Sequence, residues 1–485
     1  LSDLLPAGAG GKQVDFVATG AISNGVTVAL KTDGTVEAVK QTTISASDGA
    51  GSPFIFASAA TYYTQATYDS ANNKVVIAYK SSSNYPTTIV GTVSGSSISF
   101  GTAVVVNSAN TGSNSAITYD ATQQKVVVVY RDSNNSNYGT AKVGTVSGTS
   151  ISFGAAAVVS ASSFSEWSIT YDSAAQKVVV FYSVASSYSA ASVGTVSGTS
   201  ISFGTGVALA SHGIEYNTST YDAAAQKVVV AYRNSSNGRG LARVGTVSGT
   251  SISFGTAVEF HNTTISYLAI AYDVNAQKNV IAGQFYNLGS GQFNGIAIVG
   301  TVSGTSISFG SQYTYNSGAT TQVGATYDAN AEKVVLFYSD GGNSSYGTAI
   351  VGTVSGTAIS FGSETVYESA FAYYNAATYD ANAEKVVVAY RDGGNSNYGT
   401  SVVWTTGFSR TTTNYTTFVG ISDAAISDTA SGSVTVKGGI SSNVTGLTAN
   451  LTYYVQVNGT LSTTTSTVLA GRALSSTSIN LDYTT

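Results

Sequence analysis

The chain has 485 residues, a formal net charge of −5 and only 9% charged residues. This acidic balance offers no basic stripe for phosphates, which argues against a nucleic-acid-binding protein. The absence of Cys excludes a disulfide framework and a thiolate metal site. No apolar run approaches the roughly 20 residues that a membrane-spanning helix needs, so we expect no membrane insertion. Abundant Val, Ile, Tyr and Thr instead favour an all-β protein.

The N-terminal segment contains Pro6 in a run of small residues and lacks the basic region of a secretory signal. It predicts an N-terminal arm over residues 1–13 that is flexible or docked on a partner. Apolar and polar residues then alternate over 16–30 and 31–39, a pattern that indicates a β-hairpin.

The next part of the chain is built from an internal repeat. The dipeptide Tyr-Asp recurs at intervals of 50 to 55 residues, beginning at Tyr68, Tyr119, Tyr171, Tyr221, Tyr272, Tyr327 and Tyr379. A short polar stretch, a Lys and an apolar run follow each copy, and most repeats add Val-Gly-Thr-Val-Ser-Gly and Ser-Ile-Ser-Phe-Gly segments. Units of about 50 residues with four strand-like segments are typical of propeller blades. We therefore predict a seven-bladed β-propeller over residues 14–406, with four strands in each blade.

The last repeat lacks its fourth strand, because the period stops at Trp404. A strand from elsewhere must then cover the open edge of this blade, since an uncovered edge invites aggregation. We predict that one strand of the hairpin over 16–39 completes the seventh blade as its outermost strand.

The C-terminal segment, residues 407–485, has no internal repeat and is rich in Thr, Ser and Gly. Strand-like runs occur at 434–436, 452–457, 467–470 and 478–481, with Ser-Gly and Asn-Gly turns between them. They predict a small β-barrel or sandwich that serves as a docking or assembly module.

The seven repeats differ from one another mainly on one face of the expected propeller. The loops between strands two and three and the connections between blades lie on this variable face, whereas the turns on the opposite face are nearly uniform. Aromatic, Arg and amide side chains build adaptable recognition surfaces. The candidate ligand-binding residues are Glu166, Trp167, His212, Tyr216, Tyr267, Arg233, Arg391, Tyr373 and Tyr374. The alternative is that loops simply drift in sequence.

Other polar residues give weaker signals. The Asp that follows each repeated Tyr is interpreted as a turn cap, since Ca²⁺ needs about 6 to 8 oxygen ligands. We expect His212 and His261 to lie on the surface without a metal. A glycosidase needs two carboxylates roughly 5 to 10 Å apart, and nothing in the sequence marks such a pair among Glu166, Glu215, Glu259 and Glu368. We therefore expect no catalytic residue, no cofactor and no enzymatic activity.

Several phrases resemble those of virion surface and tail-fibre-like proteins of tailed phages, particularly marine and cyanobacterial ones. They are Val-Gly-Thr-Val-Ser-Gly-Thr-Ser-Ile-Ser-Phe-Gly, the Thr-Tyr-Asp-Ala-Asn-Ala-Glu-Lys-Val-Val-Val-Ala-Tyr-Arg-Asp-Gly-Gly-Asn-Ser-Asn-Tyr-Gly run and the C-terminal segment from Leu469 to Leu481. The resemblance implies a structural or adhesive role on the virion surface.

On this interpretation the terminal segments contact other virion proteins, and the variable face binds a host cell-surface glycan or protein. The low surface charge also favours assembly into a homo-oligomer. The alternatives are a bacterial surface adhesin and a polysaccharide-degrading enzyme, which would have a carboxylate pair in a cleft of the variable face.

Overall fold

A computed structural model describes residues 12–108, 115–184, 188–289 and 291–482. Apart from one short 3-10 helix, Tyr415–Thr417, the regular structure of these residues consists of strands in antiparallel sheets. The all-β prediction is confirmed. No described segment forms a helix long and apolar enough to cross a membrane. The predicted N-terminal arm lies outside the described residues, except for its last two positions.

The chain divides into two compact units. Ser47–Gly407 forms the repeat unit, and Leu1–Ala46 together with Phe408–Thr485 forms the terminal unit. The repeat unit therefore begins at Ser47, whereas the sequence pattern placed its start at residue 14. Its end lies one residue beyond the expected position.

Each repeat forms an antiparallel sheet whose strands follow one another in chain order. The first strands are Tyr62–Asp69, Ser115–Asp120, the C-terminal part of Ala157–Asp172, Ile214–Asp222, Ile265–Asp273, Thr320–Asp328 and the C-terminal part of Thr365–Asp380. The second strands are Lys74–Lys80, Lys125–Asp132, Lys177–Val184, Lys227–Asn234, Lys278–Asn287, Lys333–Asp340 and Lys385–Asp392. The third strands are Pro86–Ser94, Tyr138–Ser147, Tyr188–Ser197, Gly240–Ser248, Gln292–Ser303, Tyr346–Ser355 and Tyr398–Thr405.

The fourth position of each sheet is filled by two short segments in line. The first segments are Ser97–Phe100, Ser150–Phe153, Ser200–Phe203, Ser251–Phe254, Ser306–Phe309 and Ala358–Phe361. The second segments are Val104–Val105, the N-terminal part of Ala157–Asp172, Val207–Ala210, Val258–His261, Tyr313–Asn316 and the N-terminal part of Thr365–Asp380. In the seventh repeat, Gly49–Ala50 and Phe54–Ala60 take these two places by pairing with Tyr398–Thr405.

The strand that completes the seventh repeat differs from the sequence prediction. The hairpin over 16–39 does not pair with this repeat, so that prediction is wrong; the segment directly before the first repeat takes the place instead. Phe54 pairs with Ser401 as Ala157 pairs with Ala141 in the second repeat. Phe56 then fills the apolar space beside Tyr79, with the two ring centroids 5.3 Å apart. The hairpin strands have other partners in the terminal unit.

The apolar runs of the second strands form the core of the repeat unit. In Lys125–Asp132, the side chains of Val126 to Tyr130 are all 0% exposed. A strand covered on both faces needs such a continuous apolar run, because neither side chain row meets water. One core cluster joins Val127 and Val129 of the second repeat to Val178 and Val180 of the third. Successive sheets therefore pack face to face.

The repeated Tyr-Asp dipeptide closes a turn and links neighbouring repeats. Asp69 Oδ1 accepts hydrogen bonds from the backbone N–H groups of Ala71 and Asn72, both at 3.1 Å. The equivalent Asp accepts similar bonds in the other six repeats, which confirms the capping role. The Tyr119 hydroxyl accepts a bond of 3.2 Å from the Ala71 N–H, so the Tyr of one repeat binds the turn of the repeat before it.

The first strands lie next to one another in chain order. Each contacts the first strand of the following repeat, and that of the seventh repeat contacts that of the first. This arrangement places the same positions of all seven repeats around one central space.

The terminal unit contains two five-stranded sheets and a two-stranded ribbon. One sheet contains Gln13–Val17, Thr27–Leu30, Val36–Ala38, Phe418–Ser422 and Ser431–Val436, and the other contains Ile440–Ser441, Thr452–Val455, Leu461–Ser462, Leu469–Ala473 and Ile479–Leu481. The ribbon pairs Gln41–Ala46 with Phe408–Thr413. A shared apolar cluster joins Ala29 and Phe418 of the first sheet to Val455 and Leu481 of the second. The predicted C-terminal module is thus completed by the N-terminal hairpin.

Candidate functional site

A β-bulge interrupts the first strand at the same place in five repeats. The register shifts between Tyr62 and Gln65 in the first repeat and between Tyr373 and Ala376 in the seventh, with equivalent shifts in the fourth to sixth repeats. In the third repeat the shift lies one residue earlier, between Phe164 and Trp167. A bulge redirects a side chain out of the regular alternation of a strand. The matching position of the second repeat lies outside the described residues. The bulge residue stands six positions before the repeated Asp.

The bulge residues adopt an unfavourable backbone conformation. In five repeats φ is positive, between 47° and 58°, at Tyr63, Tyr216, Tyr267, Gln322 and Tyr374. A bulky residue in the left-handed region costs on the order of 1–3 kcal/mol and persists only where its surroundings enforce it. Such strain is concentrated at functional sites. We call the four aromatic members, Tyr63, Tyr216, Tyr267 and Tyr374, the tyrosine ring.

The tyrosine ring, Glu166 and Gln322 line a cavity of about 260 Å³, which we call the bulge cavity. A second cavity of about 210 Å³, the central cavity, is lined by first-strand residues of all seven repeats. The two cavities share lining residues, among them Trp167 and Asn217. The bulge cavity therefore continues into the central cavity at the bulged part of the first strands.

The aromatic side chains form pairs across neighbouring repeats. The ring centroids of Tyr63 and Tyr374 are 4.7 Å apart, and those of Tyr216 and Tyr267 are 5.4 Å apart. The Gln322 side-chain oxygen accepts a 2.9 Å hydrogen bond from the Tyr374 N–H. These contacts hold the side chains in position without a ligand, which lowers the entropy lost on binding.

The wall shared by the two cavities carries polar atoms without partners. Both side-chain amide atoms of Asn217 and the Nε1 of Trp167 are buried and make no hydrogen bond within the described structure. Leaving such a group unpaired costs about 1–3 kcal/mol. The wall shared by the two cavities therefore contains polar groups that the described residues do not satisfy.

In three repeats a cationic side chain of the second strand contacts a member of the tyrosine ring. Each of these cations stands eleven positions after the repeated Asp. The Arg391 guanidinium lies 4.0 Å from the ring centroid of Tyr373 and 5.6 Å from that of Tyr374. The Lys80 ammonium lies 5.4 Å from the centroid of Tyr62 and 5.7 Å from that of Tyr63. Both cations thus contact the aromatic side chains where the seventh and first repeats meet.

The corresponding cation of the fourth repeat is neutralised. The Arg233 guanidinium lies 4.8 Å from the Tyr216 centroid, and its Nε donates to Glu215 Oε2 at 2.6 Å in an ion pair. Arg233 Nη1 also donates to Ile265 O at 3.3 Å and to Ser266 Oγ at 3.4 Å.

Two carboxylates lie close together in a side cavity of about 250 Å³ that contains Glu166, Glu215 and Arg233. Burial raises the pKa of Glu166 to about 7, and repulsion from Glu215 adds to this while Arg233 opposes it. Glu166 therefore keeps its proton to a higher pH than an exposed carboxyl does. The sequence did not single out this pair.

The structure brings several of the predicted site residues together. Glu166, Trp167, Tyr216, Tyr267 and Tyr374 line the bulge cavity. Arg233, Arg391 and Tyr373 contact members of the tyrosine ring: Arg233 contacts Tyr216, and both Arg391 and Tyr373 contact Tyr374. The sequence analysis missed Tyr63 and Gln322, although both stand six residues before the repeated Asp. Alignment of the repeats on that Asp would have found them.

Trp167 is not the exposed recognition side chain that the sequence analysis expected. It is only 2% exposed, because its ring packs against Phe164 with the centroids 5.6 Å apart. Trp167 nevertheless lines both cavities.

The two histidines have structural contacts outside the bulge cavity. His212 is half-buried, with Nδ1 3.0 Å from Gly213 O. The expectation of a surface His261 is wrong: its ring is buried, 4.8 Å from that of Phe285 between centroids. Thr263 and Gln312 lie within hydrogen-bond distance of its two ring nitrogens.

The remaining carboxylates of the variable face are engaged elsewhere. Glu259 forms an ion pair with Arg239 at 2.9 Å, and Glu368 accepts a 2.9 Å hydrogen bond from the Tyr390 hydroxyl. Across the described ranges, no group of three or more His, Asp or Glu residues is arranged to hold a metal ion.

Comparison with known proteins gives structural likenesses only. No family model and no curated protein matches the chain. A protein of unknown function from Dyadobacter fermentans is 9% identical, with 75% of this chain and 98% of that one covered and a TM-score of 0.43. An Aleuria aurantia lectin in complex with Fucα1-6GlcNAc is 13% identical, with 64% and 96% covered and a TM-score of 0.42. NanB, in a structure with Optactamide, is 13% identical, with 73% and 70% covered and a TM-score of 0.41. These scores are too low to transfer a function.

Proposed function

We propose that the repeat unit is a closed seven-bladed β-propeller that binds a carbohydrate at the bulge cavity. Closure is supported by the contact between the first strands of the seventh and first repeats. It is also supported by the hydrogen bond from the Asn382 N–H to the Tyr68 hydroxyl, 3.2 Å long, which joins the last turn to the first repeat.

The tyrosine ring carries the binding proposal. At a position where folding alone favours Gly or Asn, the chain places Tyr four times at positive φ. In each of these four repeats the same strained conformation accompanies an aromatic side chain that lines one cavity. Drift of surface loops does not produce this recurrence. Aromatic faces pack against the apolar faces of sugar rings at low entropic cost.

The polar groups of the cavity complete a carbohydrate site. A binding pocket combines apolar and aromatic walls with a few placed polar groups. Here Gln322 and Glu166 line the same space as the tyrosine ring, and the unpaired amide of Asn217 and indole N–H of Trp167 lie in residues of its wall. Sugar hydroxyl groups both donate and accept, so they match this mixed set.

We place the protein on the virion surface of a tailed phage, as a non-enzymatic structural or decorating protein. The sequence phrases shared with virion surface proteins support this location. In this role the bulge cavity binds a host cell-surface glycan, and the terminal unit contacts other virion proteins.

The test is a glycan array and a host-cell binding assay with the full chain. The variant Tyr216→Ala with Tyr267→Ala removes half of the tyrosine ring, and we expect its binding to fall below detection on the array. The matched control is Val274→Ser, which changes a 58% exposed side chain in the turn at the other end of the same first strand. Equal binding by both variants contradicts the proposal.

A hydrolase is the second candidate, and the pair Glu166 and Glu215 favours it. A protonated carboxyl beside an ionised one is the arrangement that glycoside hydrolysis uses. Glu166, with its pKa of about 7, would act as the acid, while Glu215 forms an ion pair with Arg233. The test is release of reducing ends from the polysaccharides that the chain binds. Release that stops in Glu166→Gln supports hydrolysis; binding without release supports a lectin-like role.

A further inference from the structure

We infer that the bound carbohydrate is acidic, with a carboxylate or sulfate group held where the seventh and first repeats meet. The inference rests on the proposed carbohydrate binding and names the class of sugar. Its residues are Arg391 and Lys80, together with the tyrosines that they contact.

The fourth and seventh repeats provide an internal comparison. Arg233 and Arg391 stand at the same position of the second strand, and each lies beside the tyrosine ring, at Tyr216 and Tyr374 respectively. The residue before the bulge differs, since it is Glu215 in the fourth repeat and Tyr373 in the seventh. Glu215 neutralises Arg233. Tyr373 stacks on Arg391 and leaves its charge in place.

Arg391 has no anionic partner among the residues that the structure describes. Within the described residues it makes no ion pair and no hydrogen bond, and its Nε is buried without a partner. Its contacts are the rings of Tyr62, Tyr373 and Tyr374, at 5.0, 4.0 and 5.6 Å from the guanidinium to each centroid. A planar guanidinium fixed by stacking presents its N–H groups in the fork that matches a carboxylate or a sulfate.

Lys80 adds a second cation on the same aromatic group. The Lys80 ammonium and the Arg391 guanidinium both lie over the Tyr62 ring, at 5.4 and 5.0 Å. Lys80 likewise makes no ion pair within the described residues. Two partly desolvated cations without an anion are unfavourable, and a bound anion relieves this. Burial, and secondly the charge of Arg131, lower the pKa of Lys80.

The rest of the bulge cavity directs an anion to this junction. Its one lining carboxyl, Glu166, belongs to the third repeat, and the neighbouring Glu215 already occupies Arg233. At this site the third and fourth repeats therefore offer a negative group no unpaired cation within the described residues, whereas the seventh and first repeats offer Arg391 and Lys80. Tyr63 and Tyr374 line the cavity and contact the two cations, so a sugar ring stacked on them brings its acidic substituent next to both.

The experiment uses Tyr373→Glu in the full chain, which recreates beside Arg391 the arrangement of Glu215 beside Arg233. The array presents matched pairs: a uronic acid with its neutral hexose, and a sulfated galactose with galactose. We expect the wild type to prefer the acidic members, and Tyr373→Glu to lose about tenfold or more of that affinity, as for a buried charge pair. The matched control is Val366→Glu, which adds the same charge at a 44% exposed side chain in the N-terminal part of the same strand and is expected to bind as the wild type does. Thermal unfolding of each variant confirms that it is folded.

The outcomes separate the two proposals. Preference for acidic sugars that disappears in Tyr373→Glu supports the inference, and the carboxylated and sulfated pairs identify which anion is bound. Equal binding of acidic and neutral sugars, unchanged in Tyr373→Glu, overturns the inference and leaves carbohydrate binding in place. Absence of binding to any sugar by the folded wild type overturns both.

Discussion

The Tyr68 hydroxyl accepts a 3.2 Å hydrogen bond from the backbone N–H of Asn382, and so joins the first repeat to the turn of the last. The same bond, from Ala71 to Tyr119, joins the first two repeats. The bond between the last and the first repeat is therefore of the same kind as the bond between the first two.

Removing this hydroxyl tests whether the repeats close. We expect Tyr68→Phe to lower the free energy of unfolding by about 0.5–1 kcal/mol, since the Asn382 N–H keeps Asp380 Oδ1 as an acceptor and loses only the hydroxyl. Tyr119→Phe, which breaks the bond between the first two repeats, serves as the reference and is expected to give a similar loss. Chemical denaturation measures both. A loss in Tyr119→Phe without any loss in Tyr68→Phe argues for an open series of repeats.

The outer strand of the seventh repeat gives a second prediction. Phe56 is 7% exposed and packs against Tyr79 and Phe100, so Phe56→Ala is expected to cost about 3–5 kcal/mol by creating a cavity. Phe54, 42% exposed in the same strand, is the matched control, and Phe54→Ala is expected to cost less than half as much. Hydrogen exchange over 398–405 should accelerate only in Phe56→Ala. Equal, small effects of the two substitutions contradict the strand assignment.

Backbone strain in the tyrosine ring predicts a separation of stability from binding. In Tyr267→Asn the new residue tolerates the left-handed backbone at φ 52°, and the relief of strain offsets the lost ring contact with Tyr216. We expect the free energy of unfolding to stay within about 1 kcal/mol of the wild type, while sugar binding falls. Tyr272→Asn, five residues later, removes the hydroxyl that accepts a hydrogen bond from the Ala224 N–H. Tyr272 has no positive φ, so this substitution relieves no backbone strain. It should be clearly destabilised, and the opposite order of stability contradicts the account.

Glu166 makes stability depend on pH. Its folded-state pKa of about 7 lies above the ordinary value of 4.5, so the folded protein retains a proton that the unfolded chain releases. The stability that this proton contributes is complete below about pH 4.5 and is lost as the pH rises to about 7. Above that pH, the titration of Glu166 no longer changes the stability. Relative to the wild type, Glu166→Gln is therefore expected to be more stable at pH 8 than at pH 5, by a difference of about 1–3 kcal/mol. Urea denaturation at both pH values measures this difference, and a difference of zero contradicts the burial of the carboxyl.

The repeats, their strands and the capped turns could be predicted because the same residues recur at the same spacing in each copy. The Asp of every Tyr-Asp lies next to the turn whose backbone N–H groups it accepts from. The apolar run after the Lys buries side chains on both faces, as a strand between two neighbouring sheets does. The partner of the last edge could not be predicted in this way. Alternation over 16–39 shows that a strand forms, but it does not show which edge the strand joins, and the short apolar segment around Phe56 proved the better match.

The sequence predicted which types of residue form the candidate site better than it predicted where in each repeat they lie. Tyr216, Tyr267 and Tyr374 were recognised as aromatic residues of variable connections, whereas they occupy one constant position relative to the repeated Asp. Tyr63 was missed because it belongs to the first strand of the first repeat and not to a connection between repeats. The positive φ of these residues has no sequence signal, since Gly and not Tyr marks such a conformation.

Isothermal titration calorimetry tests the central claim most directly, with the glycan that the array identifies and three proteins: the wild type, Tyr216→Ala with Tyr267→Ala, and Val274→Ser. The account predicts that the double variant loses about 30-fold or more in affinity, as expected when two aromatic anchors are removed, while Val274→Ser binds as the wild type does. Equal affinity in all three proteins would contradict a binding site formed by the tyrosine ring.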